Sequence, residues 1–212
     1  MEKDFRNPCS HWKGEPFIPD DCRVVLMGTI TTEEGISNGY YYSAKNNHFW
    51  EILDGALHQV GCNSSFADLK AKLMDSKNAK EDIRKEFHDT YEKLPGKMAV
   101  CDILESCSFC PANSSSDDDI IKGTETYNWP KPLTACKNLK FIVANSWKVI
   151  RYCRKAKLIP WGTKFNSATK SYHCNNGIEV CYVPSPSNRC TRPLGEKIAD
   201  WSKTLSYIIS NL

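Results

Sequence analysis

The chain has 212 residues, 41% hydrophobic and 25% charged, which excludes a disordered polypeptide and suffices for one sizeable domain with a real core. Its net charge of +3 is too mild for a strongly basic nucleic-acid binder, so any basic surface must be local. No apolar run approaches a membrane span and the charged start MEKDFRNPCSHWKGEP has no apolar signal core, so a protein without membrane contact is expected, cytoplasmic or, in a eukaryote, nuclear.

Residues 1–22 are rich in prolines and polar groups and read as an irregular leader, with Pro16-Phe17-Ile18-Pro19 packed against a sheet. Arg23–Met27 is a short apolar run suited to a buried parallel strand, and Gly28 ends it where backbone must pass close to something. A polar loop follows with Tyr40, Tyr41 and Tyr42, then Asn46, Asn47 and His48. From Phe49 the period changes to that of a helix. Phe49, Trp50, Leu53, Ala56, Leu57 and Val60 share one face of a helix predicted from about Asn47 to near Gly61. Ser65 with Asp68 resembles a capping box before Phe66–Met74. Ile83, Phe87 and Tyr91 make a narrow apolar stripe on a surface helix over 76–94, closed by Pro95-Gly96.

Met98–Leu104 is the second strand and carries Asp102. The loop after it holds Asp117, Asp118 and Asp119, which suit a helix N-terminus. Lys140–Ala144 is the third strand, and Ser146 can cap the helix Trp147–Lys157. Residues 158–178 show no clear period. Glu179–Val183 is the fourth strand, followed by the turn-rich Pro184–Arg189 and a last helix over about Leu194–Ser210. Strands alternating with helices predict an α/β fold. The expected form is a three-layer α/β/α sandwich around a central four-stranded, mainly parallel sheet, as a single domain over 1–212. A loop at the carboxyl end of a first α/β strand is where ligands usually bind, and three tyrosines beside polar groups suit a flat polar ligand such as a nucleobase.

The eleven cysteines are odd in number, and with no secretion signal reduced thiols are expected, most of them small buried hydrophobes. Cys107 and Cys110 form a C-x-x-C pair without a second pair to complete a ligand set, so neither a metal nor another cofactor is expected.

Four segments, in order from about residue 15 to 205, resemble the uracil-DNA glycosylase superfamily, nearest to its hypoxanthine-DNA glycosylase-like and mismatch-specific uracil-DNA glycosylase branches. They are EPFIPDDCRVVLMGT, YYSAKNNHFWEIL, MAVCDILESCSF with SSDDDI, and VPSPSN with EKIADW. The resemblance implies a uracil-DNA glycosylase-like fold and a monofunctional DNA glycosylase. Such an enzyme flips a damaged or modified base out of DNA and hydrolyses its N-glycosidic bond. It further implies that Gly28, Thr29 and Ile30 line the base pocket, that Tyr42 stacks the base, and that Asn47 and Asp102 are catalytic, with Asp102 also reading the base. Pro184, Ser185, Pro186, Ser187, Asn188 and Arg189 are implied to contact DNA, the one expected partner, bound by a monomer.

The chain departs from the family pattern where it runs Gly28-Thr29-Ile30-Thr31-Thr32. Ile30 stands at the water-holder position and cannot activate water, and Val183 replaces the histidine before Pro-Ser-Pro. Glu33, Glu34 or Asp102 are the acids that could take over. An ionised Asp102 only accepts hydrogen bonds, which suits a base with an exocyclic amine. A modified cytosine, excised in anti-phage defence, is therefore a second reading beside a deaminated base such as uracil or hypoxanthine. A DNA-binding module without chemistry is the third.

Overall fold

A computed structural model of the chain describes residues 18–19, 21–75, 80–109, 117–127, 136–174 and 176–212. Most of the leader, Cys110 and the serines before Asp117 lie outside these. The first half runs β1 (Val24–Gly28), α1 (Glu33–Asn38), α2 (Phe49–Gln59), α3 (Phe66–Asp75), α4 (Lys80–Lys93), β2 (Met98–Asp102), β3 (Leu104–Ser106) and β4 (Thr126–Tyr127). The second half runs β5 (Phe141–Ala144), α5 (Trp147–Lys155), β6 (Phe165–Asn166), β7 (Ser171–His173), β8 (Glu179–Tyr182) and α6 (Leu194–Ser210).

The four expected strands pair in parallel in the order β2-β1-β5-β8. The sheet is larger than the expected four, because β7 and β6 extend it beyond β8 as antiparallel strands. They come from the stretch 158–178, and at two and three residues they are too short to display an alternation. Gly28 pairs with Asp102, Met27 with Ala144, and Ala144 with Tyr182. The parallel strands therefore end level, and the loops after them gather on one edge.

Alternate residues of each strand face opposite sides. Val24, Leu26, Val100 and Val143 join α2, α3, α4 and α6 in one buried cluster. Val25, Met27, Cys101, Ile142 and Val180 join Val149, Ile150 and Cys153 of α5 in the other. Two buried clusters on two faces make the three layers. A Cβ on Gly55 of α2 would stand 3.1 Å from Ile198 of α6, so the small residue lets these helices approach closely. Ser146 caps α5 as expected, accepting from the Val149 N–H at 3.1 Å. The α3 start is held by Asp54 of α2, which accepts from the Phe66 N–H at 2.9 Å, a long-range partner that a Ser65/Asp68 box does not anticipate.

The nine described cysteines are free, and seven are buried. Burial pushes the thiols of Cys101, Cys153 and Cys181 up. Among the described residues no group of three or more His, Cys, Asp and Glu is placed to hold a metal ion, and no helix is long and apolar enough to cross a membrane.

Candidate active site

A cleft of about 680 Å³ opens at the carboxyl edge of the parallel strands. Its walls come from the loop after β1, the loop before α2, the loop after β5 with the first turn of α5, and the loop after β8. The volume lies within the usual range for ligand pockets.

One wall is built on Tyr42. Its backbone sits at φ 54°, in the left-handed region that a tyrosine rarely adopts. Two contacts hold it there. The ring stacks on Phe49 at 3.9 Å and 7°, and the hydroxyl accepts from Asn145 Nδ2 at 2.8 Å. Burial, then the nearby Asp102 carboxylate, pushes the Tyr42 hydroxyl well above the ordinary phenol value. It therefore remains a protonated, neutral group.

Gly28 and Asp102 lie one layer beneath Tyr42. A Cβ on Gly28 would run into Tyr42 Oη and Asp102 Oδ1, so the close backbone approach expected there is real and made by the chain itself. Asp102 is buried, and its Oδ2 accepts from Thr31 Oγ1 at 2.5 Å. Tyr42 stands between these residues and the open cleft.

The second wall joins two loops. Asn47 Oδ1 accepts from the Phe49 N–H at 2.9 Å, an Asx turn that leads into α2, whose N-cap position is His48. Only the amide oxygen can accept from an N–H, so Nδ2 is the remaining donor of a side chain that lines the cleft. Asn47 also forms an antiparallel bridge with Ser187, and the His48 N–H donates to Pro186 O at 3.2 Å. Two buried lysines brace this junction from behind. Lys70 of α3 donates to Asn47 O and, at 2.9 Å, to Glu51. Lys197 of α6 donates to Ser187 O at 2.8 Å. The Trp201 indole donates to Pro184 O at 3.0 Å.

Lys148, Arg151 and Arg189 bring positive charge to the cleft, and Glu34 and Asp118 bring negative charge. Asp118 pairs with Lys148 at 3.3 Å. Glu34 sits on α1, whose N-cap is Thr32, and one carboxylate oxygen accepts from the Lys45 N–H at 2.9 Å. The Glu33 side chain lies outside the described residues.

The expected residues Thr29, Ile30, Tyr42, Asn47, Ser185, Pro186, Ser187, Asn188 and Arg189 all line the one cleft. Gly28 and Asp102 support it from below, and buried Pro184 anchors the loop. Sequence reasoning passed over Asn145, Lys148 and Arg151. Asn145, a polar residue at the end of a parallel strand, had a usable signal in the rule that ligands bind at the carboxyl ends of such strands. Arg151 had none, being one of several basic residues on its helix.

No protein-family model matches the chain, and no curated protein does. A solved structure does resemble it: the solution NMR structure of a candidate uracil DNA glycosylase from Methanosarcina acetivorans. The two share 17% identity at a TM-score of 0.54, over 90% of this chain and 93% of the other. At that identity the likeness speaks to architecture, and the chain has the α/β/α fold of that glycosylase structure.

Proposed function

We propose that the protein is a monofunctional DNA glycosylase acting on a deaminated base such as uracil or hypoxanthine. The observation that carries this reading is the bridge between Asn47 and Ser187. It places an amide donor and the Pro184–Arg189 loop in one cleft beside Tyr42 and three cations. A flipped base lies against Tyr42, and the loop N–H and hydroxyl groups with Arg189 hold the backbone phosphates. Cleavage leaves charge on the departing base, where Asn47 Nδ2 stabilises it by donation. Ile30 cannot position water, so Glu34, the carboxylate of the first loop that reaches the cleft, orients it.

A second substrate class, modified cytosine removed in anti-phage defence, needs Asp102 to reach the base, and here its carboxylate is buried beneath Tyr42 on Thr31, so it becomes the reader only if Tyr42 moves aside. The test is base release from oligonucleotides carrying uracil, hypoxanthine, xanthine or modified cytosines, and from phage DNA. Release of uracil or hypoxanthine, lost in Asn47→Ala and Glu34→Gln, supports the reading. Release from modified-cytosine DNA alone replaces the substrate. No release from any of them leaves a DNA-binding module and refutes the enzyme.

A further inference from the structure

Ser146 and Lys148 of the first turn of α5 line the cleft. Between them in the chain stands Trp147, outside the lining itself, with 47% of its surface exposed. An exposed indole is usually mobile, but this one is held. Its ring stacks on Tyr182 at 4.4 Å and 23°, and Phe165 packs edge-on against it at 5.3 Å. Tyr182 closes β8, two residues before Pro184 opens its loop, and Phe165 belongs to β6. The extra antiparallel strands thus back an aromatic stack that stays half exposed, carried by the residue between two that line the cleft.

Cations lie near that residue, although Lys148 is paired with Asp118. Arg151 lies one helical turn along from Trp147, on the same side, and lines the cleft together with Lys148 and Arg189. The first turn of α5 carries no acid, so its N-terminal dipole is unopposed by its own side chains. A fixed aromatic face beside cations that track a polyanion is the arrangement that holds a strand of nucleic acid without reading its sequence.

We propose that Trp147 is a second stacking platform, taking a base of the DNA strand outside the pocket, next to the nucleotide whose base enters it. The proposal rests on the reading that this cleft takes DNA. It assigns the two aromatic sites different work: Tyr42 faces the flipped base, and the Trp147–Tyr182 stack receives a neighbour that has lost its own stacking partner. It gives β6 and β7 a purpose as the backing of that stack.

The test is the affinity of the full chain for a labelled oligonucleotide carrying an abasic site, which needs no catalysis. Trp147→Ala is expected to bind roughly tenfold more weakly, and Trp147→Phe to remain close to the parent. Trp161, 99% exposed in the turn after α5 at the opposite edge of the sheet, supplies the control, and Trp161→Ala is expected to bind like the parent. A second readout avoids the question of whether Trp147→Ala folds. The emission difference between the parent and Trp147→Phe isolates this indole, and DNA is expected to shield it from acrylamide quenching. Equal affinity of Trp147→Ala and the parent, or no shielding by DNA, overturns the platform. Base release is scored separately. A protein that releases no base yet binds DNA through Trp147 loses the glycosylase reading and keeps the platform. One that releases base with binding indifferent to Trp147 loses the platform alone.

Discussion

The hydroxyl of Tyr42 fills the space that a side chain on Gly28 would need. The two positions are 14 residues apart in sequence and belong to the strand and the loop that together open the cleft. Gly28→Ala must push Tyr42 off Asn145, or Asp102 off Thr31. Overpacking of this kind costs about 1–3 kcal/mol, read in urea unfolding. Base release is expected to fall more than stability does, because the displaced ring is the one facing the base. A variant that unfolds like the parent would show that the floor yields freely.

Asn47 has two jobs that substitution can separate. Asp at this position keeps an oxygen for the Phe49 N–H, so the turn into α2 survives, but it has no amide donor to offer. Asn47→Asp is expected to melt close to the parent and lose base release. Asn47→Ala loses both, with about 1 kcal/mol of stability gone with the turn's hydrogen bond. Equal release by Asn47→Asp and the parent would remove Asn47 from the chemistry.

Lys70 is buried with its ammonium between Asn47 O and Glu51. Lys70→Met is expected to cost roughly 3 kcal/mol, because it leaves the carboxylate without its cation, and to slow base release by freeing Asn47. Glu51→Gln keeps the brace and loses the ion pair. It is expected to be less stable than the parent with release nearly intact. Urea unfolding beside single-turnover kinetics distinguishes the two.

Asp200 gives the fold an acid-sensitive element. Burial opposes its charge, but the hydrogen bond and charge of Lys170 and the Arg192 guanidinium prevail and hold the carboxyl below the usual aspartate value. A depressed native value means that the contribution is fully present above the unfolded value, about 3.9, and disappears as pH falls through the lower native one. Asp200→Asn is expected to melt lower than the parent at neutral pH, with the gap closing in strong acid. Thermal melts across the acid range check this, and a constant gap would refute it.

Much of the architecture could be read from the chain because four strands are continuous apolar runs, which buried parallel strands require. The strands β6 and β7 could not, since their pairing depends on the exposed side of β8 and not on any pattern of their own. The helix α1 escaped for a similar reason: EEGISN has one large apolar residue, Ile36, and Gly35 reads as a turn. In the site, loops after parallel strands gather at one sheet edge, and Tyr42, Asn47 and the residues after Pro184 stood out through the resemblance to the glycosylase motifs. The order of layers did not. That Asp102 sits beneath Tyr42, with Thr31 on its carboxylate, is a fact of packing between segments some 70 residues apart.

The bridge from Asn47 to Ser187 makes a single jaw of two loops that sequence treats as strangers. If the cleft works as proposed, a strand gripped at Ser187 pulls on the backbone of Asn47, and a shift of Asn47 is felt at the phosphates. Grip and chemistry would then not be tunable one at a time, and a lineage that remodels the Pro184–Arg189 turn would have to retune the asparagine in the same step.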